Sequence, residues 1–109
     1  MTATKTSDPV LNEIVERLVA TYRPEAVYLF GSHARDGAGA DSDYDLLVVV
    51  PDTTPGDRRQ ARLAYQALRG TGVAVDVPVW TRSAFDSRLH LQASLPATVV
   101  RGGKLVYAP

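Results

Sequence analysis

The chain has 109 residues, 45% hydrophobic and 22% charged, with twelve basic and twelve acidic side chains and no cysteine. That is enough for one domain with a real core, and it excludes a disulfide scaffold, thiolate metal sites and the broad positive field that gives affinity for a nucleic-acid backbone. No apolar run approaches the roughly 20 residues that span a bilayer, and the start, MTATKTSDPV, lacks the apolar core of a secretory signal. The expectation is a cytoplasmic protein with no membrane or nucleic-acid partner, residues 1–109 forming a single domain and residues 1–7 a flexible tail.

In chain order, SDPVLNEIVERLVATY opens with Asp8 as an N-cap and Pro9 at the first helical position, where its missing N–H is harmless. Val10, Leu11, Ile14, Val15, Leu18 and Val19 recur at three- and four-residue spacing, so the segment predicts a helix with one buried stripe. Ala26 to Phe30, short and apolar and closed by Gly31, predicts a buried strand, and Asp43 to Val50, closed by Pro51, predicts a second. Between them lies a loop or short helical turn with Gly31, Gly37 and Gly39.

TTPGDRRQARLAYQALRG repeats the order of cap, proline and helix, with Thr54 capping, Pro55 starting, and Ala61, Ala64, Tyr65 and Leu68 on the apolar side. Val73 to Trp80 predicts a third strand with Val73, Val75, Val77 and Val79 on one face; Pro78 cannot donate to a ladder, so this strand belongs at an edge or ends its pairing there. The remainder predicts helical segments interrupted near Pro96, a Gly102–Gly103 turn and a final strand from Lys104 to Tyr107. The order of elements suggests an α/β (α+β) fold, a small mixed sheet with helices packed on it.

The chemistry concentrates in LFGSHARDGAGADSDYDLLVVV. Strand alternation puts Asp43 and Asp45 on one side and Tyr44 and Leu46 on the other. Carboxylates so close repel one another unless something positive sits between them. Asp76 interrupts the valines of the third strand and completes a triad if that strand pairs with the second. Hard cations such as Mg²⁺ take oxygen ligands of this kind, and two of them about 3.5–4 Å apart can clamp an in-line displacement at phosphorus. Upstream, Gly31 lets backbone N–H groups approach an anion, Ser32 adds a hydroxyl and Arg35 a charge, so a phosphate site would adjoin the metal site.

Gly31–Ser32, Arg35, and Ser42–Asp43–Tyr44–Asp45–Leu46 together resemble the signature of the polymerase-beta-type nucleotidyltransferases, most of all the minimal nucleotidyltransferase (MNT) group; the likeness runs through Asp76 to the closing VVRGGKLVY, about residues 8 to 107. The resemblance implies that Asp43 and Asp45 ligate two Mg²⁺ ions, with Mn²⁺ an alternative. It further implies that Asp76 holds the catalytic metal and helps deprotonate an acceptor hydroxyl, and that Gly31 and Ser32 position the β- and γ-phosphates of ATP, the substrate. Many MNT proteins resemble antitoxins that pair with a HEPN-type ribonuclease toxin and add AMP to its tyrosine. The expected activity is therefore a protein adenylyltransferase, and the expected partner is a HEPN-type toxin in a hetero-oligomer, with a homo-oligomer also open. Arg88 and His90 are too close together for the HEPN ribonuclease pattern, so this chain carries one half of such a pair.

Three other functions compete: an antitoxin acting by occlusion alone, a transferase acting on a small molecule such as an aminoglycoside, and a sensor that binds ATP and Mg²⁺ without turnover. Retention of all three aspartates argues against the pure binder. Simpler structural readings suffice elsewhere: Asp41 as solvated, Ser42 as a cap or turn residue, His33 without a role, His90 as a surface helix residue, the charges of GDRRQAR as a solvated helix face, and the aromatic residues as core or interface.

Overall fold

The computed structural model describes residues 2–3, 8–31 and 44–109. Helix α1 (Pro9–Tyr22) begins as its sequence dictates, with Asp8 Oδ1 accepting from the N–H groups of Val10 at 3.0 Å and Leu11 at 3.2 Å. Its stripe of Leu11, Ile14, Val15, Leu18 and Tyr22 is buried, and Arg23 ends it in the left-handed region with φ 49°.

Among the described residues the sheet has six strands: β1 (Thr2–Ala3), β2 (Ala26–Phe30), β3 (Tyr44–Val50), β4 (Val75–Asp76), β5 (Val79–Thr81) and β6 (Lys104–Ala108). β2 is antiparallel to both β3 and β6, β1 is antiparallel to β6, and β3 is parallel to β4 and β5, so the sheet is mixed. Leu46, Val48 and Val50 face a cluster built with α1 and with α2 (Arg62–Ala67). Leu47 and Val49 face a cluster built with α3 (Arg82–Arg88) and α4 (Leu95–Gly102). With both faces covered, β3 reads as an unbroken apolar run from Leu46 to Val50.

The predicted third strand exists in two pieces, and Pro78 is the reason. Tyr44 N–H donates to the Ala74 carbonyl at 3.1 Å and Val48 N–H to the Pro78 carbonyl at 2.9 Å. Residues 74, 76, 78 and 80 therefore turn their backbone groups toward β3. Pro78 stands where an N–H would meet Leu46, so the ladder breaks there. Register survives the break, because Asp45 opposite Asp76 and Val48 opposite Val79 keep one offset. Among the described residues β4 and β5 pair with β3 alone, which is the edge position the proline requires.

Three expectations differ from the structure. The helix predicted from Pro55 is a 3₁₀ turn at Gly56–Arg58 followed by α2 from Arg62, with no cap from Thr54. The segment is tied to the end of α1 instead: Tyr22 Oη donates to the Gln60 carbonyl at 2.7 Å and Arg58 Nη2 to the Thr21 carbonyl at 3.0 Å, and these tertiary bonds override local propensity. Tyr65, expected on the apolar side, is 56% exposed. The helical segments expected to break near Pro96 do so, α3 ending at Arg88 and α4 starting at Leu95 with Pro96 in its first turn, where Ser94 caps it by accepting from Ala97 N–H at 3.2 Å. Finally, Thr2 and Ala3, expected in a frayed tail, pair with Ala108 and Tyr107; residues 1 and 4–7 lie outside the described residues.

Candidate active site

Asp45 is the second residue of β3, and its neighbours Tyr44 and Leu46 are buried in the α1 cluster, so its carboxylate projects from the opposite face. In register beside it stand Asp76 on β4 and Phe30 on β2. Strands neighbour one another at about 4.8 Å, and residues opposite in register share a face, so Asp45 and Asp76 present two adjacent carboxylates at one end of the sheet.

What holds the start of β3 is a contact from below. Tyr44 Oη donates to Asp8 Oδ2 at 2.6 Å while the other oxygen of the same carboxylate caps α1. Burial, together with the negative charge of Asp8, pushes the Tyr44 hydroxyl up to about 12. One aspartate thus joins the N-terminus of α1 to the strand that carries Asp45.

Gly31 follows β2 with φ +75°, a conformation that side chains rarely adopt. A Cβ there would lie 3.1 Å from Asp45 Cγ and inside contact of Asp45 Oδ2. The glycine is therefore where the Asp45 carboxylate rests. On the other side of β2, Gly103 N–H donates to the Val99 carbonyl at 2.8 Å, and a Cβ on Gly103 would come within 2.6 Å of both the Leu29 and Val99 carbonyl oxygens. That close approach brings the end of α4 beside Gly31, where Phe30, Gly31, Thr98 and Gly102 line a recess of about 270 Å³.

Asp76 is exposed and Asp45 partly so. Like charges opposite one another on neighbouring strands destabilise the pairing, so the arrangement favours a cation. The donors are carboxylate oxygens, the set a hard divalent ion such as Mg²⁺ takes, and Asp45 and Asp76 fit it as a pair. Among the described residues no third acidic or histidine side chain joins them.

The structure therefore brings together Gly31, Asp45 and Asp76. Ser32, Arg35 and Asp43, and with them His33, Asp41 and Ser42, lie outside the described residues. His90 is exposed, as expected, but lies in the turn after α3 rather than in a helix. Sequence reasoning missed the Asp8–Tyr44 link and the part played by Gly102–Gly103; the second could have been suspected from two adjacent glycines before a strand, a sign of close backbone approach.

Comparison with known proteins bears on the same elements. The family model of the nucleotidyltransferase domain matches residues 11–99. Among solved structures, a toxin–antitoxin with AMP-PNP is 26% identical with a TM-score of 0.62, over 90% of this chain and 73% of that one. A candidate nucleotidyltransferase from Sulfolobus solfataricus is 25% identical with a TM-score of 0.58, over 91% of this chain and 78% of the other. The complex of a tri-AMPylated Shewanella oneidensis HEPN toxin with an MNT antitoxin shares the fold, with 22% identity and a TM-score of 0.56 over 92% of this chain and 71% of that one. No curated protein matches.

Proposed function

This chain belongs to the nucleotidyltransferase domain family, and from that premise we propose that it transfers AMP from ATP to a hydroxyl on a partner protein, acting as the antitoxin of a HEPN-type toxin. The observation that carries this reading is the in-register pair Asp45 and Asp76, set on one face beside Gly31. Likeness to a toxin–antitoxin with AMP-PNP supports both the adenine nucleotide and the toxin as partner.

Asp43, Asp45 and Asp76 would hold one or two Mg²⁺ ions, or Mn²⁺ in their place. When bound, such ions neutralise charge that develops on phosphate oxygens. Gly31 and Ser32 offer N–H and hydroxyl donors to the β- and γ-phosphates, with Arg35 adding charge, so that the α-phosphorus is presented to the acceptor. Asp76 takes the proton of the acceptor hydroxyl as its oxygen bonds the α-phosphorus, and the bond from phosphorus to pyrophosphate breaks. Asp76 suits that part because it is the exposed carboxylate, on the edge strand where an acceptor can approach. Most of the acceleration then comes from positioning and from fixed charge.

The test is label transfer from α-phosphate-labelled ATP, with Mg²⁺, to proteins of the native host, comparing wild type with Asp45→Asn and Asp76→Asn. A discrete protein labelled by wild type alone supports the reading. If nothing is labelled while a helical toxin co-purifies equally with all three, the chain neutralises by occlusion and the transferase reading fails.

A further inference from the structure

A groove lies at the other end of the edge strand. It measures about 620 Å³ and is lined by residues 56–61, through Arg59 and Gln60, by Val79, Trp80 and Thr81 of β5, and by Ala84 of α3. Trp80 lies four residues beyond Asp76, about 13 Å along an extended chain, so the groove is separate from the carboxylate pair yet on the same edge. We propose that this groove is a docking site for an extended acidic segment of the protein on which the transferase acts.

Charge supplies the first argument. The segment from Gly56 to Arg69 carries Arg58, Arg59, Arg62 and Arg69 against Asp57 alone. Arg58 is committed to the Thr21 carbonyl, whereas Arg59 and Arg62 are exposed and make no ion pair among the described residues. No carboxylate lines the groove. Arg82, on the adjoining α3, is already held by Glu25 at 3.0 Å and Asp86 at 3.3 Å, so the uncompensated charge belongs to the Arg59 wall.

The second argument is chemical type. Tryptophan and arginine are the side chains that most often carry binding energy between proteins, and Trp80 is half-buried, so its ring is held still while part of its surface stays available. A nucleic acid fits less well: the whole chain carries no net charge and the basic stretch is short, whereas backbone binding rests on a broad positive field. Only the identification of the segment with the acceptor rests on the proposed function; the docking itself does not.

Trp80 is the sole tryptophan, so intrinsic fluorescence reads the groove directly. Wild-type protein would be titrated with a glutamate–tyrosine copolymer, a lysine–tyrosine copolymer and oligouridylate RNA, at low and high salt. Expected are a saturable Trp80 response to the acidic copolymer alone, weakened by salt, about a tenfold loss of affinity in Arg59→Glu, and a smaller loss in Arg62→Glu, which lies outside the lining. Absence of a response, indifference to both substitutions, or equal response to RNA overturns the proposal. A concentration-dependent dimer that Arg59→Glu dissociates overturns it in favour of a second copy as occupant. Because fluorescence needs no turnover, these results stand whatever the label-transfer assay shows: a chain that transfers no AMP yet binds the acidic copolymer keeps its groove.

Discussion

Replacing Gly31 by alanine tests the seat of the Asp45 carboxylate. Two costs are expected. Holding an alanine at φ +75° costs about 1–2 kcal/mol, and forcing its Cβ into the carboxylate costs about 1–3 kcal/mol more, the usual range for an overpacked contact. In an Asp45→Ala background the second cost vanishes, because the shortened side chain ends at Cβ, 3.4 Å from the added methyl. A double-mutant cycle read by urea denaturation should therefore show Gly31→Ala to be less harmful, by about 1–3 kcal/mol, when Asp45 is already alanine. For a chain of this size each kcal/mol moves the melting temperature by about 4–8 °C, so the difference is large enough to measure. Equal costs in the two backgrounds, within about 0.5 kcal/mol, would refute the steric argument and leave Gly31 needed for its backbone angle alone.

Tyr44→Phe removes a donor from the Asp8 carboxylate and should cost about 1.5–3 kcal/mol in denaturation experiments. The raised tyrosine pKa fixes the sign with pH: the contribution is fully present below pH 10, the ordinary tyrosine value, and fades as pH rises through about 12, so wild type and Tyr44→Phe should converge in stability at the alkaline end. Gly103→Ala, whose Cβ would meet two backbone oxygens that cannot swing aside, should cost about 1–3 kcal/mol, whereas Gly102→Ala, with open space around it, should be neutral or stabilising; equal effects in thermal melts would contradict the close approach of α4 to β2. Asp76→Asn removes one of two facing carboxylates and should raise stability in chelator by about 0.2–1 kcal/mol, while Mg²⁺ should raise the melting temperature of wild type more than that of the variant. An identical Mg²⁺ response in both would sink the metal reading of this pair.

Local pattern made much of the fold readable. The cap, proline and stripe of α1 agree with one another, β2 and β3 are apolar runs closed by a glycine and a proline, and Pro78 marked its strand as one at an edge or one whose pairing ends there. What could not be read depends on contacts distant in sequence. Nothing near Pro55 announces that Tyr22 and Arg58 tie the following segment to α1, so a plausible helical pattern gave way to a 3₁₀ turn. At the site, the spacing of Asp43 and Asp45 and the isolation of Asp76 among valines suggested a triad; the register joins Asp45 to Asp76, and Asp43 lies outside the described residues. The seating of Asp45 on Gly31 is a steric fact between two strands, and no property of either residue alone expresses it.

The bond that Pro78 omits has a kinetic consequence. In an uninterrupted ladder, releasing Asp76 would require the whole edge to unzip; here two residues can leave β3 while Val79–Thr81 stay paired. Because the register is shared, β5 acts as a bookmark that returns β4 to the same place after each excursion. Short, exposed, edge-paired backbone opens with little free energy, so the Asp76 amide should exchange with deuterium well ahead of the Trp80 amide. The two aspartates would then keep different clocks, Asp45 tied to the slow core and Asp76 free to answer whatever approaches the edge.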